Sequence, residues 1–117
     1  MPDFNISISG VDKVLRRLDQ ATKQETVNKI DRRVEAVTRK MANDAATNAP
    51  VDSGKLRNSI IASPEKVGDM VWQFGSDLPY AKRQEYENAT KKAFIRKAVW
   101  SNEKKLKEGV LEEIRKI

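Results

Sequence analysis

The chain has 117 residues, 38% hydrophobic and 34% charged, with 23 basic and 17 acidic residues giving a net charge of +6. That length supports one domain, residues 1–117, with a core large enough to fold unaided but thin enough to gain from oligomerisation or from a long helix laid along a sheet. There is no Cys and no His, so disulfides and thiolate chemistry are excluded and a zinc, haem or iron–sulfur site lacks its usual ligands; no apolar run approaches the roughly 20 residues needed to span a bilayer.

Met1-Pro2-Asp3-Phe4 has no basic stretch followed by an apolar one, so no signal peptide is expected. Phe4, Ile6 and Ile8 alternate with Asn5, Ser7 and Ser9, which predicts a short half-buried strand ended by Gly10. Val11, Val14, Leu15 and Leu18 follow helical spacing and predict a first helix from 11 to 22. A second helix is predicted from near Gln24. Val27, Ile30, Val34, Val37 and Met41 stand at steps of 3, 4, 3 and 4, and Ala45 and Ala49 continue the stripe. This is one apolar seam on a helix about 35 Å long. Its late positions shrink to Ala42, Ala45, Ala46 and Ala49, which suits core packing or close packing of a neighbouring subunit.

Pro50 stops that helix, because it lacks an amide hydrogen and crowds the preceding turn. Asp52 and Ser53 can bond nearby backbone groups, and Gly54 permits a positive φ, so a structural corner is expected here. Leu56 to Ser63 reads as a strand, with a turn at Gly68-Asp69. Met70, Trp72 and Phe74 then alternate with Val71 and Gln73, completing an antiparallel hairpin with an aromatic face. Gly75 closes it, and Tyr80 to Glu87 fits either a short helix or an edge strand. The last segment opens near Thr90, a candidate N-cap. Phe94, Ile95, Ala98, Val99, Leu106, Val110, Leu111 and Ile114 mark its buried side. Residues 101–108 are nearly all polar and Gly109 follows, so a bend or frayed tail is expected there.

A catalytic constellation is missing. Ser53 has no His to activate it. Gly54-Lys55 lacks the upstream Gly of a phosphate-binding loop, and Leu follows the Lys. Glu85 and Glu87 are close in sequence, but nothing else builds a sugar cleft around them. The expectation is a non-enzyme without cofactor or metal. The positive charge divides evenly, +3 in residues 1–58 and +3 in 59–117, mixed with acidic neighbours as in Asp31-Arg32-Arg33-Val34-Glu35. A solvated face of mixed sign accounts for that pattern. The alternative is a basic nucleic-acid-binding module, using doublets such as Arg32-Arg33 and Lys91-Lys92 with Trp72, Tyr80 and Tyr86 as stacking platforms.

Ala49-Pro50-Val51-Asp52-Ser53-Gly54-Lys55-Leu56-Arg57-Asn58-Ser59-Ile60 resembles the "A-P-V-D-[TS]-G-x-L-[RK]-x-S-I" signature of the tail-completion or head–tail joining (neck) proteins of long-tailed bacteriophages. Val71-Trp72-Gln73-Phe74-Gly75-Ser76 with Pro79-Tyr80-Ala81 resembles that family's "V-G-[ST]…Y-A". Phe94-Ile95-Arg96-Lys97-Ala98 resembles its "P-F-[LI]-R-x-A". The likeness runs over residues 4–115. It departs at Glu85-Tyr86-Glu87-Asn88, where the family has "E-F-G-T", and at Ala93, where Pro is common.

The resemblance implies an α+β subunit. A small antiparallel sheet of three or four strands packs on a long helix, with a shorter N-terminal helix and a C-terminal helix. It also implies a homo-oligomeric ring, hexameric, in the virion at the head–tail junction, made in the host bacterial cytoplasm; a minor tail or capsid component at another location is the alternative. Its partners would be the connector and tail-tube proteins, with no membrane. Pro50, Asp52, Ser53, Gly54, Leu56 and Arg57 form the corner. Arg57, Tyr80 and Glu85 are the candidates for contacts between subunits.

Overall fold

The computed structural model describes residues 4–49, 54–76, 78, 81, 85–86 and 93–116. In chain order they form β1 (Phe4–Ile6), α1 (Val11–Leu15), α2 (Gln20–Asn48), α3 (Lys55–Ile61), β2 (Glu65–Gly68), β3 (Val71–Phe74) and α4 (Phe94–Arg115). The fold is α+β, as the resemblance implies. The three strands make one antiparallel sheet in the order β1-β3-β2. The long helix α2 packs along α4, and α3 and β3 lie against the same helix. The molecule is elongated, 51 × 21 × 17 Å.

β1 shows the predicted alternation but ends at Ile6, four residues before Gly10. Ile6 is buried and pairs with Trp72, while Phe4 pairs with Phe74 and their rings stack 6.1 Å apart. The first helix is shorter than predicted. It ends at Leu15 and the chain makes a turn through Arg16 and Arg17. Asp19 then takes an extended conformation, and its carboxylate accepts from the Thr22 N–H at 2.8 Å. An aspartate that caps its own downstream backbone starts a new helix rather than continuing an old one. So α2 begins at Gln20, four residues before the predicted start. Its buried line is Val27, Ile30, Val34, Thr38, Met41, Ala42, Ala45 and Ala46, with Val37 only partly covered. At its end Ala49 is extended, at φ −69° and ψ 149°, as the residue before a proline should be.

Two further expectations are corrected. Residues 56–61 are not a strand but belong to α3, whose buried residues Leu56 and Ile60 stand one helical turn apart. The polar run between them makes sense on a helix, since Ser59 returns a hydrogen bond to the Leu56 carbonyl, and Ser63, just past the helix, does the same to Ile60. The hairpin is therefore shorter. β2 starts after Pro64, the reversal falls at Asp69-Met70, and Met70 adopts φ +61°. Asp31 on α2 fixes that turn by accepting from the Met70 N–H at 3.0 Å and by pairing with Lys66 Nζ at 3.4 Å.

The second correction concerns the polar run 101–108. α4 passes through it and through Gly109 without a break. Asn102 is buried there and donates to Asp44 Oδ2 and to the Ala98 carbonyl, both at 2.8 Å. Leu106 and Val110 continue the buried side. Ala81, Glu85 and Tyr86 are helical, while Tyr80, Glu87 and the expected cap Thr90 lie outside the described residues. α4 is entered instead from Ala93 at φ +61°.

Candidate assembly surface

At the corner, Gly54 precedes α3 in the left-handed region, φ +78° and ψ −6°, and its carbonyl accepts from the Asn58 N–H. Nothing lies within 4 Å of where its Cβ would stand, so the demand for glycine is conformational and not steric. Leu56 is buried, whereas Arg57 turns back and donates from Nε to the Ala46 carbonyl at 3.1 Å. That carbonyl belongs to the last turn of α2 and also accepts from the cap N–H of Ala49 at 3.3 Å, so Arg57 adds a second donor at the helix end. Arg57 thus latches α3 onto the end of α2, and the small Ala42, Ala45, Ala46 and Ala49 are all buried there within the chain. Pro50, Asp52 and Ser53 lie outside the described residues.

A serine relay, which no local pattern advertises, ties the corner to the sheet. Ser59 Oγ and Ser76 Oγ are 2.6 Å apart, and Ser63 Oγ accepts from the Gly75 N–H at 2.9 Å. Gly54 therefore leads into a helix, α3, that is stitched to the strand end, and not directly into a strand.

Of the three residues considered for contacts between subunits, Tyr80 lies outside the described residues. Arg57 is engaged as above. Glu85 is only 1% exposed. Its carboxylate accepts from the Ile95 N–H at 2.8 Å, the Arg96 N–H at 3.4 Å and Arg96 Nε at 2.6 Å. It serves the start of α4, where backbone N–H groups lack helical acceptors and the helix dipole favours an anion. The Arg96 guanidinium also lies 4.4 Å from the Tyr86 ring centre.

Two polar clamps hold α2 to α4. At one end Glu113 accepts from Arg33 Nε and Nη2 at 3.2 and 3.0 Å, with Glu112 3.3 Å from the same guanidinium. The Arg33 bonds hold the Glu113 carboxyl below its usual range, helped by Lys116, and Glu113 raises Arg33 in turn. At the other end is Asp44. Burial pushes its carboxyl up, but hydrogen bonds from Asn102 and Lys40 outweigh that and leave it lowered.

Among the described residues the outer surface offers unpaired edges and apolar spots. β1 and β2 are both edge strands, and Val67 on β2 is exposed, as are Ile61, Tyr86 and Trp100. An apolar groove of about 610 Å³ runs between α1 and α4, lined by Ile8, Val11, Val14, Leu106, Val110 and Leu111. Among the described residues no group of three or more His, Cys, Asp or Glu is placed to hold a metal ion. Among the same residues no helix is long and apolar enough to cross a membrane.

The described residues thus form a small α+β unit with a three-stranded antiparallel sheet and charged groups spread over its helix faces. The chain belongs to the HK97-gp10-like family, described as "Bacteriophage HK97-gp10, putative tail-component", whose model matches residues 12–86, from α1 to Tyr86. That family is one of bacteriophage tail components, and the match encloses the whole corner. No curated protein and no solved structure matches the chain.

Proposed function

We propose that this protein is a structural virion subunit that joins the phage head connector to the tail. It acts at the head–tail junction through a homo-oligomeric ring, hexameric, and without catalysis. The observation that carries the reading is the family match over residues 12–86, with the corner of Gly54, Leu56 and Arg57 inside it. The Arg57 bond that holds α3 to the end of α2 suits a part whose outline must register with neighbours on both sides. The sheet supports the same reading. Among the described residues β1 and β2 flank β3 and leave two different edges open, which suits heterologous contacts that close a circle. Connector and tail-tube proteins would then meet the two axial faces of the ring.

The test is complementation of a phage that lacks this protein. Electron micrographs of the lysate should show DNA-filled heads and separate tails. Purified protein added to the two fractions should restore joined particles, with extra ring density at the joint. Joined, infectious particles in its absence would refute the proposal.

A further inference from the structure

We propose that one face of α4, the stripe Lys97–Trp100–Lys104–Lys107, binds single-stranded nucleic acid. This goes beyond the joining role and does not rest on it. The buried side of α4 is Phe94, Ile95, Ala98, Asn102, Leu106 and Val110. The stripe residues recur at steps of 3, 4 and 3, so they form a second line on the opposite side of the same helix. Trp100 stands in the middle of it at 59% exposure, the most open of the large apolar side chains among the described residues. Lys97 and Lys107 are exposed, and among the described residues neither makes an ion pair. Lys104 lies 3.9 Å from Glu108, but its side chain is 85% exposed, so that pair is weak and the cation remains available. Glu103 flanks the stripe without lying in it.

A second aromatic platform adjoins its start. Arg96, one turn before Trp100, is pinned by Glu85 and covers one side of Tyr86, whose ring is 47% exposed. Cations in a line track a phosphate backbone, and an exposed indole among them takes a base face.

A single strand is the occupant these features favour. A duplex keeps its base faces stacked and would leave Trp100 in water. A protein partner would have to cover three lysines, the residue type that interface cores avoid.

The probes are a labelled oligo-dT, a duplex of the same length, heparin, and anionic lipid vesicles, each with the full chain. Oligo-dT should bind with quenching of Trp100 emission, since the other tryptophan, Trp72, is buried. Three phosphate contacts predict a slope of log affinity against log salt of roughly −2, or about a 20-fold loss between roughly 50 and 200 mM salt. Trp100→Ala should weaken oligo-dT binding by about 5-fold or more, while leaving duplex binding unchanged, and Trp100→Phe should recover part of the loss. Lys104→Gln should make the slope shallower by about 0.7. These side chains are exposed, so the variants should keep the wild-type circular dichroism. Four outcomes would overturn the proposal. They are no oligo-dT binding at low salt, equal affinity for duplex, equal loss of heparin and oligo-dT binding in Trp100→Ala, or tighter binding to the vesicles.

Discussion

Gly54 and Glu85 carry their roles in single atoms. Gly54 sits at φ +78° with open space around the missing Cβ, so a side chain there costs backbone strain and nothing else. Gly54→Ala should lower stability by about 1 kcal/mol and Gly54→Val by more, because a β-branched residue resists the left-handed region, while Gly54→Asn should be mildest. Urea midpoints of the three variants check the order. Glu85 is the opposite case, a buried acceptor for three N–H donors. Glu85→Ala should cost about 2–4 kcal/mol, because the Ile95 amide loses its partner inside the protein and Arg96 loses its anion. Glu85→Gln keeps one oxygen and should cost less, again by urea unfolding. The two differ in how far the sequence discloses them. A glycine after Asp-Ser and a proline announces a turn by local chemistry alone. Glu85 reaches a helix start ten residues downstream from another segment, and no spacing rule connects the two.

At the scale of elements, the segments read correctly are those whose apolar period was long. α2 shows about six turns of one seam, and β3 shows Trp72 and Phe74 on one face. The misread segment, 56–63, is too short to fix a period. Leu56, Ile60 and Ile61 fit a strand of mixed faces as well as one helical turn, and only packing against α2 decides, leaving Ile61 exposed. The unbroken α4 teaches the same lesson from the polar side. Asn102 reads as solvent-facing in sequence but is buried because Asp44, 58 residues away, meets it. Gly109 then interrupts nothing. A Cβ there would touch only the aliphatic part of Arg33, at 3.4 Å. Gly109→Ala should therefore stabilise the protein by up to about 1 kcal/mol through helix propensity, seen as a higher thermal midpoint. A lower midpoint would mean that Arg33 cannot give way.

For the whole molecule, the decisive pairing is α2 against α4 along the long axis. The clamps Arg33–Glu113 and Asp44–Asn102 sit eleven residues apart on each helix and fix their antiparallel register. Both clamp carboxylates lie below their ordinary values, 4.5 for Glu113 and 3.8 for Asp44. A carboxyl lowered on folding contributes stability that is present above its unfolded pKa and is lost as pH falls through its folded one. The thermal midpoint should therefore be level from neutral pH down to about pH 5 and fall below it. Glu113→Gln should lower the midpoint at neutral pH and make the acid decline shallower, since one of the two titrating contacts is gone. Glu103→Gln, an exposed carboxylate outside both clamps, should leave the slope alone. It also controls for the general repulsion of a chain that is already +6 at neutral pH. If Glu113→Gln and wild type declined in parallel, acid unfolding would be driven by net charge, and the register of the two long helices would rest on the apolar seam alone.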